Sequence, residues 1–519
     1  MSLAEFFRAG WHVCEPGIPL QDSWHIDALC DHVQAALEDW YAVVRWQQRA
    51  AKPGHDPIAD PRPEQRIKDM AINISPGTAK SRIVSVYAPA WMWLLCPSWR
   101  AIFISGNPRV ASRDSAYCRM LIQSDWYQNT FKPAWKFAPD QNAKTFYRNT
   151  ARGQRMAIGA GAVIVGDRAD ALFVDDLNDP SDVESDTKRT SRNDWWDQSA
   201  GSRVNDLRTS PRIGIQQRTH EDDWTGHVLP LGTWFHLSLP MEYERQNDCK
   251  CASCTAGVSP IGWSDPRTVD GELMMPNRFP KEVLAAELLR LGSNGYAGQY
   301  QQRPAAKGGT IFKEQWFADR YQQLPKLKFV WTCWDTALKD EEQNDESACV
   351  TMAEGEDGDV YVLYAAHGRW ETPDLMKFLI ARAYWYKSRY GALYAGDYVE
   401  DKVSGTTLMQ YVKRHVDEDR TRAHDGCKLA LIAVQVEADK VARAQGVSPI
   451  CEAKRVHLPD TAFYPETFSW TRDLLAVLTR FPKVKKKDLV DAFVYGLKKY
   501  LGTLSTGKKG RRSKRGGVV

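Results

Sequence analysis

Four apolar residues run directly into two adjacent carboxylates at Ala171-Leu172-Phe173-Val174-Asp175-Asp176, and no other stretch constrains the fold as strongly. A continuous apolar run of this length is typical of a strand that is buried on both faces of a parallel sheet. Ligands of open α/β sheets bind beyond the carboxyl ends of the strands, where Asp175 and Asp176 would lie. Two acids there could hold Mg²⁺ and position a water, although a surface turn after a strand gives the same residues.

A second constraint lies upstream, where a short apolar strand at residues 70–74 leads through a loop of small residues into an apolar helical pattern. This order suits a phosphate cradle: loop N–H groups face the anion, Lys80 reaches the outer phosphates and the Ser81 hydroxyl can hold Mg²⁺. Ile74 and Ala79 occupy the two glycine positions of the usual pattern, so the motif is weak by itself. The candidate nucleotide-binding residues of the loop are Ser75, Pro76, Gly77, Thr78, Ala79, Lys80 and Ser81.

Other apolar runs in this half of the chain also end in polar residues. They occupy residues 101–107, 160–166 and 212–218, and the last continues into residues 219–223. Apolar strands that are separated by helical patterns predict a mostly parallel α/β sheet. Plain turns would explain polar strand ends as well. However, one strand of this sheet leads into residues suited to phosphate (Lys80 and Ser81) and another ends in residues suited to a metal ion (Asp175 and Asp176), and together these favour a nucleotide site.

The second half of the chain pairs apolar strands with acids again. Asp335 follows the run at residues 329–334, Glu400 follows residues 392–399, and Asp488 and Asp491 open a last helical pattern. Carboxylates on neighbouring elements can hold two metal ions that activate a water for phosphodiester cleavage, and hard Mg²⁺ or Mn²⁺ prefers such oxygen ligands. Because the chain has 65 Asp and Glu residues, periodicity alone leaves unrelated surface acids as the simpler explanation.

The composition is that of a globular chain with two or three domains. Its 519 residues are 43% hydrophobic and 26% charged, and no signal peptide or membrane-spanning run is recognisable. Because the net charge is only +4, affinity for a polyanion has to come from local patches. Residues 507–516 are basic and rich in glycine, so we expect them to be disordered and either to solubilise the chain or to contact DNA weakly.

The eleven cysteines form an odd number in a chain without a signal peptide, which predicts reduced thiols in a cytosol. The one cluster is Cys249, Cys251 and Cys254. Close thiolates suit Zn²⁺, but the neighbouring histidines, His236 and His367, are distant in sequence. A structural zinc and free thiols in an inserted loop are both open.

In their order and spacing, these motifs resemble the large subunit of tailed-phage terminases, over about residues 20–500. The resemblance implies an α/β protein with an ASCE-type P-loop ATPase domain, built on a mostly parallel sheet, followed by a ribonuclease H-like nuclease domain. The matching stretches are Ser75–Ser81, Leu172–Asp176, Asp182–Asp186 and Ile215–Asp222 in the first half, and Trp334–Ala337 with Asn344-Asp345, Glu400-Asp401-Lys402 with Gly405, and Asp488–Ala492 in the second.

In the ATPase domain, the resemblance implies that Asp175 holds Mg²⁺ through water. Asp176 occupies the place where a Glu general base is usual; Asp is shorter, and Glu184 is an alternative. Gln216, Gln217 and Arg218 match the segment that couples the γ-phosphate to subunit movement, with Gln217 as the candidate nucleotide contact. A motor ring also needs an arginine finger, for which Arg119 is a candidate.

In the nuclease domain, the resemblance implies that Asp335, Glu400 and Asp488 are catalytic metal ligands, with Asp491 as a substitute or a further ligand. The family often has two adjacent acids where this chain has Lys487-Asp488, so tight binding of a second metal ion is in doubt. The lysines at residues 485–487 could contact the DNA backbone or simply be solvated at the start of a helix.

The resemblance also implies a function and a domain plan. The chain would hydrolyse ATP with Mg²⁺ to move double-stranded DNA into a procapsid, and would cut concatemers with Mg²⁺ or Mn²⁺ in the nuclease site. Its partners would be DNA, the portal protein, the procapsid, the small terminase subunit and further copies in a ring, in the host cytoplasm. The expected segments are an N-terminal helical segment at 1–60, the ATPase domain at 61–305, a linker at 306–325, the nuclease domain at 326–502 and a basic tail at 503–519.

Two alternatives remain open from the sequence. A helicase-like ATPase with a nuclease, used in repair or defence, would carry the same two kinds of motif, but it would separate DNA strands and would need no portal. A non-catalytic DNA-binding scaffold is the second alternative, because the phosphate loop departs from the usual glycine pattern.

Overall fold

The computed structural model describes residues 1–164, 166–178, 185–244, 257–304, 310–336, 346–400, 409–410, 412, 429–435, 440–484 and 487–502. The chain divides into two compact units. The first comprises Met1–Leu288 with Ser293–Lys307, and the second comprises Leu289–Gly292 with Gly308–Val519. In the described parts of the chain, no helix has the length and apolar character needed to cross a bilayer.

The first unit is built on an eight-stranded sheet with the spatial order β3-β4-β5-β2-β6-β7-β1-β8. The six strands from β5 to β8 in this order are parallel, and β3 and β4 add an antiparallel edge. The predicted mostly parallel α/β sheet is therefore confirmed. The strands are β1 (Asp69–Ile74), β2 (Arg100–Ser105), β3 (Phe137–Asn142), β4 (Phe146–Asn149), β5 (Gln154–Gly159), β6 (Ala171–Asp175), β7 (Arg212–Gln216) and β8 (Trp234–Leu239).

The apolar runs at β1 and β6 are explained by burial, since every residue of both strands is buried. The run at residues 160–166 is a different case, because residues 160–164 are not a strand and the strand β5 ends just before them. Since β7 lies between β1 and β6 and all three are parallel, the loops that follow them meet at one edge of the sheet.

Helices cover the sheet of the first unit. The helix predicted after the phosphate loop begins as a π-helix, Arg82–Tyr87, and continues as an α-helix, Ala88–Leu95. The other helices with all their residues in this unit are Leu3–Cys14, Trp24–Ala50, Pro108–Gln123, Asp125–Phe131, Asp186–Trp195, Trp224–Val228 and the short π- and 3₁₀-helices Trp196–Ala200 and Leu229–Leu231. A further helix, Lys281–Gln299, is interrupted at Gly292, whose φ is 69°.

The second unit contains a seven-stranded mixed sheet with the order β14-β13-β10-β11-β12-β15-β9. Strands β10, β11 and β12 form an antiparallel meander, and a hairpin turn at Asp357-Gly358 joins the last two. On its other side β10 pairs in parallel with β13, and β13 pairs in parallel with β14. The strands are β9 (Arg320–Tyr321), β10 (Leu327–Asp335), β11 (Ser347–Gly355), β12 (Val360–Gly368), β13 (Tyr394–Glu400), β14 (Leu431–Val434) and β15 (Val456–Pro459).

The two faces of this sheet are covered by different helices. Trp331 and Cys333 share a core with helix Asp488–Tyr500, whereas Trp334 and residues of helix Thr372–Tyr390 pack on the other face. Because side chains alternate along a strand, Asp335 belongs to the face of helix Asp488–Tyr500. Further helices in the described part of this unit are Lys440–Glu452, Phe468–Leu478 and the 3₁₀-helices Glu314–Phe317, Gly391–Leu393 and Pro465–Thr467.

Gly214, in β7, gives a test of how the sheet of the first unit packs against its helices. A Cβ atom at Gly214 would lie 2.0 Å from the Trp224 ring, so we expect Gly214→Ala to destabilise the first unit by about 1–3 kcal/mol. Gly446 is the matched control: it lies inside helix Lys440–Glu452 with nothing within 4 Å of an added Cβ, and Gly446→Ala should stabilise by about 0.5–1 kcal/mol. Calorimetric unfolding measures both, and an unchanged transition for Gly214→Ala would contradict the packing.

Candidate functional site

The loop after β1 keeps the shape of a phosphate cradle despite its missing glycine. Ala79 has φ 60°, a left-handed conformation that costs a non-glycine residue about 1–2 kcal/mol. Gly77 is also left-handed, with φ 77°, and the Thr78 hydroxyl closes the loop by donating to the Ser75 carbonyl at 2.8 Å. Ala79 therefore adopts the backbone conformation that favours glycine, at the cost of strain in the loop.

The structure brings Lys80 and the two carboxylates of β6 together. The Lys80 ammonium lies 3.5 Å from Asp176 Oδ2 and donates to the Ile74 carbonyl at 3.4 Å. Lys80 is buried, whereas Asp176 is partly exposed. Lys80, in the loop after β1, and the carboxylates Asp175 and Asp176, at the end of β6, thus form one charged cluster, which we call the first centre.

Asp175 is the most electrostatically unusual group of the first centre. Burial raises the pKa of Asp175 to about 8; the neighbouring Asp176 charge adds to the rise, and the Lys80 charge opposes it. Neither carboxylate oxygen has a hydrogen-bond partner in proper geometry, although the nearby Ser81 hydroxyl also lowers this pKa. A buried carboxylate beside a hydroxyl and a second acid fits a divalent cation, which prefers oxygen ligands.

Asp176 is held in a strained conformation. Its φ is 42°, its Oδ1 accepts from the Gln217 backbone N–H at 3.1 Å, and its carbonyl accepts from the Gly106 N–H at 3.1 Å. A Cβ atom at Gly106 would lie 2.3 Å from this carbonyl oxygen, so the chain requires glycine just after β2. Strain of this kind is found where a side chain has to be aimed, and here it fixes the Asp176 carboxylate beside Lys80.

The polar residues at the end of β7 and just after it have two kinds of surroundings. Gln216 is buried with both side-chain amide atoms unpartnered, and Gln217 Oε1 is unpartnered as well. Arg218 is instead ion-paired with the fully buried Asp223 at 2.9 Å. The glutamines thus have unused hydrogen-bonding groups, whereas the Arg218 guanidinium supports the turn that leads into helix Trp224–Val228.

Two groups beside the first centre were not expected from the sequence. The Gln302 side chain accepts from the Arg218 N–H at 3.1 Å and donates to the Ser75 hydroxyl at 3.5 Å. His25 hydrogen-bonds the Thr78 carbonyl at 3.1 Å, and both residues are buried. Contacts between residues so far apart in sequence leave no local signal, so a motif-based prediction misses them.

Arg119, the predicted candidate for an arginine finger, donates to the Asn142 carbonyl at 3.0 Å on β3. Arg113 lies about one and a half helix turns earlier and is exposed. It pairs with Asp114 at 2.8 Å, and this hydrogen bond, with the charges of Asp114 and Asp175, raises the pKa of Arg113. The side chain of Arg119 is therefore engaged at the antiparallel edge of the sheet, while that of Arg113 lies within electrostatic reach of the first centre.

The second unit brings Asp335 and Glu400 together at the ends of the adjacent parallel strands β10 and β13. Both are buried. Burial raises the pKa of Asp335 well above its usual range, and a hydrogen bond with Glu400 and the charges of Glu400, Asp491 and Asp488 raise it further. Asp335 Oδ2 has no hydrogen-bond partner. We call these four acids the second centre.

Asp488 and Asp491 open the helix that covers this face, but their surroundings differ. Asp491 Oδ1 accepts from the Arg443 guanidinium at 2.7 Å, and its Oδ2 lies 2.6 Å from the Lys440 ammonium. Asp488 is more exposed, and its Oδ1 lies 3.9 Å from the same ammonium. Asp491 is therefore neutralised by two cations, whereas Asp488 faces the open side of the second centre.

The donor set of the second centre fits a hard divalent cation, because it consists of carboxylate oxygens and one of them is a buried atom without a partner. As the side chains stand, the described residues contain no group of three or more His, Cys, Asp or Glu side chains placed to hold a metal ion. Several predicted residues lie outside the described ranges: Glu184, Cys249, Cys251, Cys254, Asn344, Asp345, Asp401, Lys402, Gly405, Lys485, Lys486 and the basic tail.

Residues 332–499 match the family model of the terminase RNaseH-like domain. The second unit therefore contains a ribonuclease H-like domain of the terminase type, and the four acids of the second centre lie within the match. This match confirms the ribonuclease H-like domain that was predicted for the second half of the chain and supports the resemblance to terminase large subunits. For the first half, the mostly parallel sheet confirms the predicted α/β class. No curated protein matches the chain.

Similar solved structures include three terminases. The large terminase of a thermophilic bacteriophage, in complex with ATP-gamma-S, is 10% identical with a TM-score of 0.44, covering 89% of this chain and 98% of that chain. The HK97 bacteriophage large terminase is 13% identical with a TM-score of 0.34, covering 88% and 90%. The human cytomegalovirus terminase nuclease domain is 8% identical with a TM-score of 0.30, covering 38% and 99%.

A buried acid outside both centres gives a test of the electrostatics. Asp397 on β13 is fully buried; burial raises its pKa to about 7, while the Trp334 indole N–H, which donates to Oδ1 at 2.9 Å, works against the rise. The unfolded chain releases this proton near pH 4, whereas the folded chain keeps it until about pH 7. The contribution of neutral Asp397 to stability is therefore present at low pH and is lost as the pH rises through this window.

We expect Asp397→Asn to stabilise the second unit at pH 8 by about 2–4 kcal/mol relative to its effect at pH 4, because the amide needs no proton. Thermal unfolding at both pH values measures this difference. The exposed Asp374, which pairs with Lys377 at 3.2 Å, is the control, and Asp374→Asn should show almost no such difference. An equal effect of Asp397→Asn at the two pH values would contradict the assignment.

Proposed function

We propose that this chain is the large subunit of a viral DNA-packaging terminase. In this proposal, ATP hydrolysis at the first centre moves double-stranded DNA into a procapsid, and the second centre cuts concatemeric DNA as a metal-dependent endonuclease. The observation that carries the proposal is the buried pair Asp335 and Glu400, with Asp488 and Asp491 within electrostatic reach, inside a ribonuclease H-like domain of the terminase type. Upstream of it, Lys80 of the loop after β1 lies beside the carboxylates of β6.

For the ATPase, we assign the phosphates to the loop N–H groups of residues 75–81 and to the Lys80 ammonium. Bound Mg²⁺, held by Ser81 and Asp175, would neutralise phosphate charge. Lys80 lies 3.5 Å from Asp176, so a bound triphosphate would compete with Asp176 for the ammonium. Once Lys80 turns to the phosphates, the Asp176 carboxylate is released to accept a proton from the attacking water, and the Gln217 N–H keeps it aimed.

For the nuclease, we assign the metal ligands to Asp335, Glu400 and Asp488. Bound Mg²⁺ or Mn²⁺ would activate a water and stabilise the leaving oxygen. Burial and the hydrogen bond with Glu400 raise the pKa of Asp335, and a bound cation would favour its ionised form. Asp491, predicted as a further ligand, is assigned to the support of the site because both of its oxygens contact cationic side chains.

The partners follow from the proposed reaction. A chain that packages DNA has to contact the duplex, a portal protein, a procapsid and the small terminase subunit, and it has to act as a ring of copies in the host cytoplasm. Contacts with DNA phosphates position a protein without reading bases, so we expect cleavage with weak sequence specificity.

Lys80→Ala tests the ATPase. We expect ATP turnover to fall by about 10²-fold or more, because the variant loses the charge that stabilises the outer phosphates. The exposed Lys52, in the turn after helix Trp24–Ala50, is the control, and Lys52→Ala should leave turnover unchanged. Equal background rates for wild type and Lys80→Ala would favour the non-catalytic scaffold, and ATP-driven separation of DNA strands would favour the helicase-like alternative.

Asp335→Asn tests the nuclease. We expect metal-dependent cutting of plasmid DNA to be lost while ATP turnover is retained, because the amide removes a ligand charge at the second centre without changing the volume of a buried side chain. Gel analysis of plasmid cutting measures the effect. The exposed Asp319 is the control, since its side chain pairs only loosely, at 3.9 Å, with Lys454. Undiminished cutting by Asp335→Asn would refute the assignment.

A further inference from the structure

Two cationic side chains face the second centre from a helix that the sequence motifs do not include. Lys440 and Arg443 lie three residues apart on helix Lys440–Glu452, a spacing that places them on the same face. Both contact Asp491, at 2.6 and 2.7 Å. The acids of the second centre are therefore accompanied by built-in positive charge.

Arg443 is the fixed member of this pair. It is buried, and besides Asp491 it donates to the Tyr495 hydroxyl at 2.9 Å. A guanidinium remains charged at any pH at which the protein is folded. Arg443 thus pairs with Asp491 and joins helix Lys440–Glu452 to the helix that carries both Asp488 and Asp491.

Lys440 is the accessible member. Its ammonium lies between Asp491 Oδ2, at 2.6 Å, and Asp488 Oδ1, at 3.9 Å, and 36% of its side chain is exposed. The ammonium is therefore placed among the acids and is also open to solvent, from which a DNA phosphate would approach. A compact ammonium on a flexible stem binds phosphate oxygens as a point charge.

The charges decide how many metal ions the second centre can take. Asp335, Glu400, Asp488 and Asp491 supply four negative charges when ionised, and Lys440 and Arg443 supply two positive ones, so one divalent cation completes the balance. A second cation, about 3.5–4 Å from the first, would need a carboxylate that bridges the two ions, and Asp491 is not available for this because both of its oxygens already contact cations.

We propose that Lys440 takes the place of a second metal ion: the second centre binds one divalent cation through Asp335, Glu400 and Asp488, and the Lys440 ammonium holds the scissile phosphate. This inference rests on the proposed nuclease function. It assigns Lys440 a direct contact with the substrate and Arg443 the role of a positioning residue, acting through Asp491.

Metal stoichiometry tests the proposal without relying on activity. We would titrate the full chain with Mn²⁺ in the absence of nucleotide, by calorimetry and by loss of the free-Mn²⁺ electron paramagnetic resonance signal. The wild type should bind one ion that Asp335→Asn fails to bind. Two ions that both depend on Asp335 would overturn the inference and leave the nuclease intact, whereas no Asp335-dependent ion would overturn the proposed nuclease function itself.

A second experiment substitutes Lys440 and measures both plasmid cutting and the number of bound Mn²⁺ ions. At Mn²⁺ concentrations that saturate the wild type, Lys440→Met should cut plasmid DNA at least about tenfold more slowly, and it should bind a second Mn²⁺ ion. Lys440→Arg keeps the charge and should keep both the single ion and most of the cutting. Lys454→Met, which removes an exposed lysine just after the same helix, should match the wild type. Wild-type cutting and stoichiometry in Lys440→Met would overturn the proposal.

Discussion

The structure depends on the cost of burying ionised carboxylates at the ends of strands. Asp175 and Asp335 lie at the carboxyl ends of β6 and β10, where each has at least one oxygen without a hydrogen-bond partner. Removing a carboxylate from water without compensation costs several kcal/mol, and the group takes up a proton instead. Burial therefore raises the pKa of Asp175 and of Asp335, and positive charge placed beside either carboxylate favours its ionised form.

The sheets explain why this cost arises in the same way in two unrelated units. In each unit, parallel strands that are buried along most of their length end side by side, so that residues distant in sequence meet at one edge. Lys80 reaches Asp176 because β1 and β6 flank β7, and Asp335 reaches Glu400 because β10 pairs with β13. The positive charges differ: the first centre has Lys80 from its own phosphate loop, whereas the second has Lys440 and Arg443 from a helix.

The strand positions and the acids could be predicted from the sequence because their signals are local. The runs before Asp175, Asp335 and Glu400 are apolar since the strands are buried, and such runs need no knowledge of the partner strands. The charge balance of the second centre could not be predicted, because Lys440 lies about fifty residues before Asp488 and the pairing depends on how two helices pack. The edge strands β3 and β4 were missed for a related reason: their residues are mostly half-buried or exposed, and they show no apolar run.

The contact of Gln302 with Ser75 ties the exit of the chain from the first unit to the loop after β1. Its side chain bonds both Ser75, where the loop begins, and the backbone of Arg218, where the β7 segment turns away. A rearrangement of either segment would break or strain these two hydrogen bonds. The chain that leaves this unit is therefore fastened to two of the segments that surround the first centre.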